Sequence, residues 1–125
     1  NPYALTGKTI LVTGASSGIG RAVAIECSRL GAHVILSARN KEKLEETLKM
    51  MEGHGHQVIE CDLSKEKEVS LLIDEVPEIQ GLVNNAGTTM TVPVPFIKFN
   101  VLSDLLKVNT IAPIMILSGL VKKKT

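Results

Sequence analysis

Tryptophan is absent, and the aromatic side chains number three: Tyr3, Phe96 and Phe99. A surface that stacks bases on aromatic rings is therefore poorly supplied. Charge of one sign is missing too. The 14 Lys and Arg against 13 Asp and Glu leave a formal +1, which argues against broad electrostatic binding of nucleic acid or of an anionic membrane. Cysteine is scarce, and Cys27 and Cys61 lie far apart, so no disulfide framework is implied and a reducing compartment fits. The longest uncharged, apolar-leaning run, Val108 to Val121, has 14 residues and includes Asn109, Pro113 and Gly119. A bilayer span takes about 20 mostly apolar residues, so this run predicts no transmembrane helix. The N-terminus has no basic stretch followed by an apolar one, hence no signal-peptide design. What these absences leave is a soluble, cytoplasmic unit of one domain. Its 125 residues are 44% hydrophobic, enough for a core and too apolar for a disordered chain.

The chain starts at Asn1 rather than Met and stops at Lys122-Lys123-Lys124-Thr125, directly after a helix-like run. Residues 1–125 are therefore expected to be a fragment of a longer single-domain chain. The three lysines read as a solvated helix end, with a nucleic-acid patch as the alternative.

Thr9-Ile10-Leu11-Val12-Thr13 is a short β-branched, apolar run ending in Gly14, the pattern of a buried strand. A glycine-rich turn follows. The next helix is expected over about Ile19 to Leu30, with Ile19, Val23, Cys27 and Leu30 on its apolar face and Gly31 as its C-terminal cap. His33 to Ser37 reads as a second strand. Asn40 then caps a helix with Leu44, Leu48 and Met51 on one face. After the turn Gly53-His54-Gly55-His56, Gln57 to Cys61 reads as a third strand. Ser64 is placed to cap a helix whose apolar face is Val69, Leu72, Ile73 and Val76. Gly81 to Asn84 is a short fourth strand, and a Thr- and Pro-rich loop, 88–95, precedes a helix near Leu102 to Leu120. The order β-α-β-α-β-α-β-α predicts an α/β protein: a Rossmann-type, doubly wound parallel sheet in three layers (α/β/α), with its C-terminal part missing.

Thr13-Gly14-Ala15-Ser16-Ser17-Gly18-Ile19-Gly20 sits where the first strand becomes a helix. Gly14 can turn the chain tightly, Gly18 lets backbone approach a pyrophosphate, and Gly20 lets the helix pack closely on the strand. The helix N-terminus adds free N–H groups and partial positive charge for phosphates. The spacing is Gly-x3-Gly-x-Gly, and no Gly-Lys-Ser/Thr follows as a Walker loop would require. Dinucleotide binding is the reading; a plain structural turn is the alternative.

Three further motifs follow in order: Asp62-Leu63 after the third strand, Asn84-Asn85-Ala86-Gly87 after the fourth, and Val108-Asn109 in the last helix. With the glycine loop they make the chain resemble the short-chain dehydrogenase/reductase family in its classical branch. Extended relatives use Gly-x-x-Gly-x-x-Gly and fit less well. The resemblance covers essentially the whole chain. It implies an NAD(P)-dependent oxidoreductase that moves hydride between nicotinamide and a small carbonyl or alcohol substrate, working as a homo-oligomer, dimer or tetramer.

By that resemblance Gly14, Ser16, Ser17, Gly18, Ile19 and Gly20 form the phosphate loop, with the serine hydroxyls facing the adenosine ribose or its phosphate. Arg39 stands just past the second strand, where an NAD-preferring site needs a carboxylate for the ribose 2′-OH. Ser37-Ala38-Arg39 offers a guanidinium instead, so NADP is the expected cofactor, with NAD possible as the second. Arg39 at a solvated helix entry is the bland alternative. Asp62 is expected to hold the adenine amino group and Leu63 to give a backbone contact, although Asp62 could also start the next helix. Asn85, Ala86 and Gly87 are expected to line the adenosine ribose, while Asn84 braces the sheet. Asn109 matches the family asparagine that distorts its helix and holds a water in the proton relay. No metal is expected: His54 and His56 flank a turn without a ligand cluster. Cys27 and Cys61 read as small core residues rather than nucleophiles.

The family's acid-base residues are a serine and Tyr-x3-Lys. The only tyrosine, Tyr3, has Gly7 four residues on, so it cannot serve. The catalytic serine, tyrosine and lysine are therefore expected beyond Thr125, and among catalytic residues Asn109 alone carries over. The second functional reading is a noncatalytic dinucleotide-binding module.

Overall fold

The computed structural model describes residues 4–87 and 94–124. Most of the Thr- and Pro-rich loop, and Tyr3, lie outside the described residues. Four strands, β1 (Thr9–Thr13), β2 (His33–Ala38), β3 (Gln57–Glu60) and β4 (Gly81–Asn84), form one parallel sheet in the order β3-β2-β1-β4. The helices between them are α1 (Gly18–Arg29), α2 (Lys41–Met50) and α3 (Glu66–Glu75). Alternation along the strands sends side chains to two cores. Ile10, Val12, Val34 and Leu36 pack with Ala24 of α1 and Leu44 of α2. Leu11 and Ile35 face the other way, onto Val69 and Leu72 of α3 and onto the last helix. A parallel sheet buried on both faces between helices is the expected three-layer, doubly wound architecture.

The last helix is longer than its sequence signal. It runs as α4 (Phe99–Leu106), a π-helical segment Lys107–Ile111, and α5 (Ala112–Lys124). Asp104 and Lys107 interrupt the uncharged run in sequence but not the helix, where Lys107 Nζ pairs with Asp104 Oδ1 at 3.9 Å. The stretch Phe99–Lys123 is thus long and apolar enough to cross a bilayer by length and composition, where the 14-residue run had seemed too short. Val108, Ala112, Ile116 and Leu120 are buried on the sheet; Phe99, Ile114 and Leu117 are exposed.

Other local expectations shift for identifiable reasons. In α1 the buried residues are Gly20, Ala24 and Ser28, with Val23 and Cys27 beside them, while Ile19 is 73% exposed. The helix lies so close to β1 that small side chains, not Ile19, face the sheet. Gly31, at φ +99°, follows the C-cap Leu30, and its N–H donates to Ser28 O at 3.0 Å. Asn40 caps α2, its Oδ1 accepting from Lys43 N at 3.1 Å. Ser64 does not cap α3. Lys65 holds that position, and Ser64 Oγ donates instead to Asp62 Oδ1 at 2.7 Å. The α3 carbonyl end is closed by Lys123 Nζ, 2.6 Å from Ile73 O and 2.5 Å from Val76 O, a cation where the helix dipole favours one. His56 is more than a turn residue: Val34 N donates to its Nδ1 at 3.0 Å, and its Nε2 lies 2.7 Å from Glu52 O.

Candidate dinucleotide site

Strand order reverses between β1 and β4, so the chain leaves their C-terminal ends in opposite directions and opens a crevice there. Thr13 closes its floor. This residue, 1% exposed, satisfies its hydroxyl completely: Oγ1 accepts from Asn85 N at 3.1 Å and Ala86 N at 3.2 Å and lies 3.4 Å from Val83 O, to which it donates. The sequence placed Thr13 at the end of the strand and the start of the glycine loop, without a role for its hydroxyl. A hydroxyl closing a buried apolar run, one residue before a glycine turn, was the available signal.

Gly14 has φ +66°, and a Cβ there would lie 2.8 Å from Ala86 Cα. The turn and the strand-4 segment therefore touch backbone to backbone, which only glycine permits. Gly20 is tighter still: a Cβ would strike Gly14 O and come within 2.7 Å of Asn85 Nδ2. Gly18, at φ +57°, faces open space. Ser17 stands at the α1 N-cap without making a side-chain cap, and the first turn holds no acid. The leading N–H groups of α1 thus keep their donors and partial positive charge for an anion.

The crevice is a cavity of about 400 Å³. The glycine loop contributes Gly14, Ser16 and Ser17; the β4 exit contributes Asn85, Ala86 and Gly87; Leu63 closes one side. Arg39 lies at the β2 exit, as its position in sequence required, and lines the cavity with Ser37, Ala38, Asn40 and Lys43. Ser37, Ala38, Asn40, Lys43, Cys61 and Val108 were not read as site residues. Of the charged residues in this lining, Arg39 and Lys43 are cationic and none is a carboxylate.

Gly18, Ile19, Gly20, Asp62 and Asn109 are not among the lining residues. Gly20 packs against Gly14 from behind the loop, and Gly18 takes φ +57° with open space beside it. Asp62 lies between two lining residues, Cys61 and Leu63, and its Oδ1 accepts from Ser64 N at 3.0 Å and Ser64 Oγ at 2.7 Å. Burial opposes its charge, but the Ser64 hydrogen bonds and the cations Arg39 and Lys65 outweigh that and hold the carboxyl below its ordinary pKa. Asn109 falls inside the π-helical segment, and a Cβ added to Gly87 would sit 3.5 Å from its Oδ1, so it neighbours the β4 exit. Asn84 Nδ2 donates to Pro113 O at 3.3 Å, bracing β4 against α5.

Burial pushes the Cys61 thiol up to about 12, with Glu68 and Asp62 adding to the rise, and Cys27 is raised by the same causes of burial and a neighbouring acid, Glu26. Both shifts favour the protonated thiol, so neither cysteine is poised as a nucleophile. Among the described residues no group of His, Cys, Asp and Glu could hold a metal ion. A larger groove, about 580 Å³, lies at the other end of β4 against α5, lined by Ile79, Leu82, Leu117 and Lys123 among others. It is far from the glycine loop, and its lysine is spent on the α3 carbonyls.

Residues 8–124 match the family model for short chain dehydrogenases. The chain is 45% identical over 85 residues to FabG, the 3-oxoacyl-acyl-carrier-protein reductase of Rickettsia felis, covering 68% of this chain and 35% of that protein. It is 43% identical over 101 residues to 3-ketodihydrosphingosine reductase of Mus musculus, covering 72% of this chain and 30% of that one. The chain thus spans about a third of the length of these relatives. Among solved structures, a metagenomic short-chain oxidoreductase in complex with NADP is similar at a TM-score of 0.85 and 34% identity, over 94% of this chain and 57% of that chain. A Beutenbergia cavernae structure described as a putative NAD(P) dependent gluconate 5-dehydrogenase, with NADP bound at low occupancy, gives 0.84 and 30%, over 98% and 51%. Glycine loop, sheet order and these similarities agree: the chain belongs to the short-chain dehydrogenase family.

Proposed function

We propose that the protein carrying this chain is an NADP-preferring oxidoreductase acting on a small carbonyl or alcohol substrate, with residues 1–125 as its cofactor-binding half. The observation that carries the cofactor choice is the cavity rim at the β2 exit, cationic at Arg39 and without a carboxylate. A 2′-phosphate meets attraction there, and a 2′-hydroxyl finds no acceptor carboxylate. Two structural neighbours hold NADP, which supports the same choice. NAD is the weaker alternative cofactor.

When bound, the dinucleotide supplies the hydride donor or acceptor. The chain's own residues do the holding. The α1 N-terminus and the Gly14–Gly20 loop take the pyrophosphate, Ser16 and Ser17 the adenosine phosphate or ribose, and Asp62 with Leu63 the adenine. Asn85, Ala86 and Gly87 line the ribose. Asn109, in the π-helical segment near Gly87, holds a relay water for the proton step. The acid-base serine and Tyr-x3-Lys belong to sequence outside these 125 residues, which contain no Tyr-x3-Lys. We place the protein in the cytoplasm, on its unpaired cysteines, and as a homo-oligomer, on the exposed apolar side chains of α4 and α5.

The test is a full-length preparation titrated with NADPH and NADH, then assayed for reduced-cofactor consumption against a panel of ketones and aldehydes. Tighter binding and turnover with NADPH is expected, and Arg39→Asp should reverse the preference. Equal affinity for the two cofactors in the parent protein would remove the NADP assignment. Binding without turnover of any carbonyl would favour the noncatalytic module.

A further inference from the structure

One fully buried hydroxyl behind the glycine loop has no part in the scheme above. Thr47 lies on the inner face of α2 beside Leu44, where a valine would fill the space without a polar atom. A buried hydroxyl must find partners. Thr47 Oγ1 accepts from Arg21 Nε at 2.8 Å and lies 2.9 Å from Ala15 O and 3.2 Å from Lys43 O. It has a single proton to give. Lys43 O, one helical turn back, is the more distant acceptor and already takes a hydrogen bond from Arg21 Nη2 at 3.1 Å. The proton therefore goes to Ala15 O, and donation from the guanidinium polarises the hydroxyl and strengthens that bond.

Ala15, the second residue of the glycine loop, is thereby clamped from two elements. Its N–H donates to Ser37 O of β2 at 3.2 Å, its carbonyl accepts from α2, and its methyl is fully buried. The Ala15–Ser16 peptide is trans, so its C=O and N–H point in opposite directions. With the carbonyl held by α2, the Ser16 N–H is turned away from α2, and Ser16 lines the crevice. Among the described residues nothing accepts from that N–H. The donor is left for a ligand, and its direction is set by a side chain that does not line the cavity. Arg21 follows Gly20 on α1 and pairs with Glu46 of α2 at 3.4 Å, so the same bonds tie α1, α2 and the loop together.

We propose that Thr47 is a positioning residue for dinucleotide binding: its hydroxyl locks the Ala15–Ser16 peptide so that the Ser16 N–H faces the cofactor. The proposal rests on the dinucleotide reading above. Without the hydroxyl the Ala15 carbonyl loses its partner, the peptide plane samples other rotations, and the fraction of loops ready for the cofactor falls. The loop holds the adenosine half that NADP and NAD share, so both lose affinity together.

The experiment is an equilibrium titration of the full-length protein and its variants with NADPH and with NADH, followed by nicotinamide fluorescence. Thr47→Val keeps the side-chain shape and should raise both dissociation constants about fivefold to tenfold, the scale of one hydrogen bond. Thr47→Ser keeps the hydroxyl and should bring both to within about twofold of the parent. Should Thr47→Val not fold, Thr47→Ala against Thr47→Ser carries the same comparison. Val69→Ala opens a cavity in the core on the opposite face of the sheet, a loss of packing alone, and should bind both cofactors as the parent does. Parent-like binding by Thr47→Val, or a loss in Thr47→Ser as large as in Thr47→Val, overturns the proposal. So does an equal loss in Val69→Ala, because lowered stability then accounts for the effect. A loss confined to NADPH overturns it as well, since it marks the 2′-phosphate and not the shared loop. If the parent protein binds neither cofactor, the dinucleotide reading itself fails, and the role of Thr47 with it.

Discussion

Replacing Thr13 by valine keeps the side-chain shape and removes three hydrogen bonds from the floor of the crevice. The contribution of each differs. At 3.4 Å the donation to Val83 O is long for a hydroxyl, and its loss costs little. The N–H groups of Asn85 and Ala86, at 3.1 and 3.2 Å, lose their acceptor in a half-buried place, and an unsatisfied buried donor costs about 1–3 kcal/mol. Water reaches part of that segment, so the two together should cost about 2–3 kcal/mol rather than the upper sum. Thr13→Ser is the counterpart: it keeps the hydroxyl and gives up one methyl, about 1 kcal/mol of buried area. Urea unfolding of the full-length protein distinguishes them, with valine expected to be the more destabilising and the slope against denaturant unchanged. Serine costing more than valine would refute the reasoning, since the methyl packing and not the hydrogen bonds would then hold the junction of β1 and β4.

Gly20→Ala should destabilise by more than about 2 kcal/mol, because the added Cβ strikes the Gly14 carbonyl, which cannot yield without moving the loop. A melting temperature within two or three degrees of the parent, as roughly 0.5 kcal/mol would give, contradicts that collision. Iodoacetamide at pH 8 should modify native Cys61 far more slowly than a free thiol and react fully in urea, since burial holds its pKa at about 12. Rapid native alkylation read by peptide mass would show the site to be open. The Asp62 carboxyl titrates below its ordinary 3.8 when folded, so its stabilisation is complete above that value and lost as pH falls through the lowered one. The stability advantage of the parent over Asp62→Asn should therefore shrink on acidification below about pH 4. An advantage that grows with acid would reverse the sign of the argument.

The sheet, its helices and the glycine loop were legible in the sequence because each rests on short-range rules. β-branched runs make strands, Gly31 permits the left-handed turn after α1, and Asn40 caps α2. Arg39 could be placed at the C-terminal end of the sheet, where it lines the crevice, from its position after β2 alone. Local pattern failed where packing distance decided. Ile19 fits the periodicity of a buried face and is exposed, because α1 sits so close to β1 that glycine and alanine fill the contact. Ser64 looked like a helix cap, but α3 starts at Glu66 with Lys65 at the cap position, and the Ser64 hydroxyl donates to Asp62. The helix expected near Leu102 to Leu120 runs further, from Phe99 to Lys124, and pairs Asp104 with Lys107 on its surface.

Residues distant in sequence became a site only through the parallel crossover that sets β4 beside β1. That pairing brings Thr13 to Asn85, and the packing of α2 on the loop brings Thr47 under Ala15. Sequence determined the elements and the kind of loop, since backbone conformation is written in neighbouring residues. Tertiary structure alone decided which hydroxyls and cations meet, because those contacts depend on where whole elements dock.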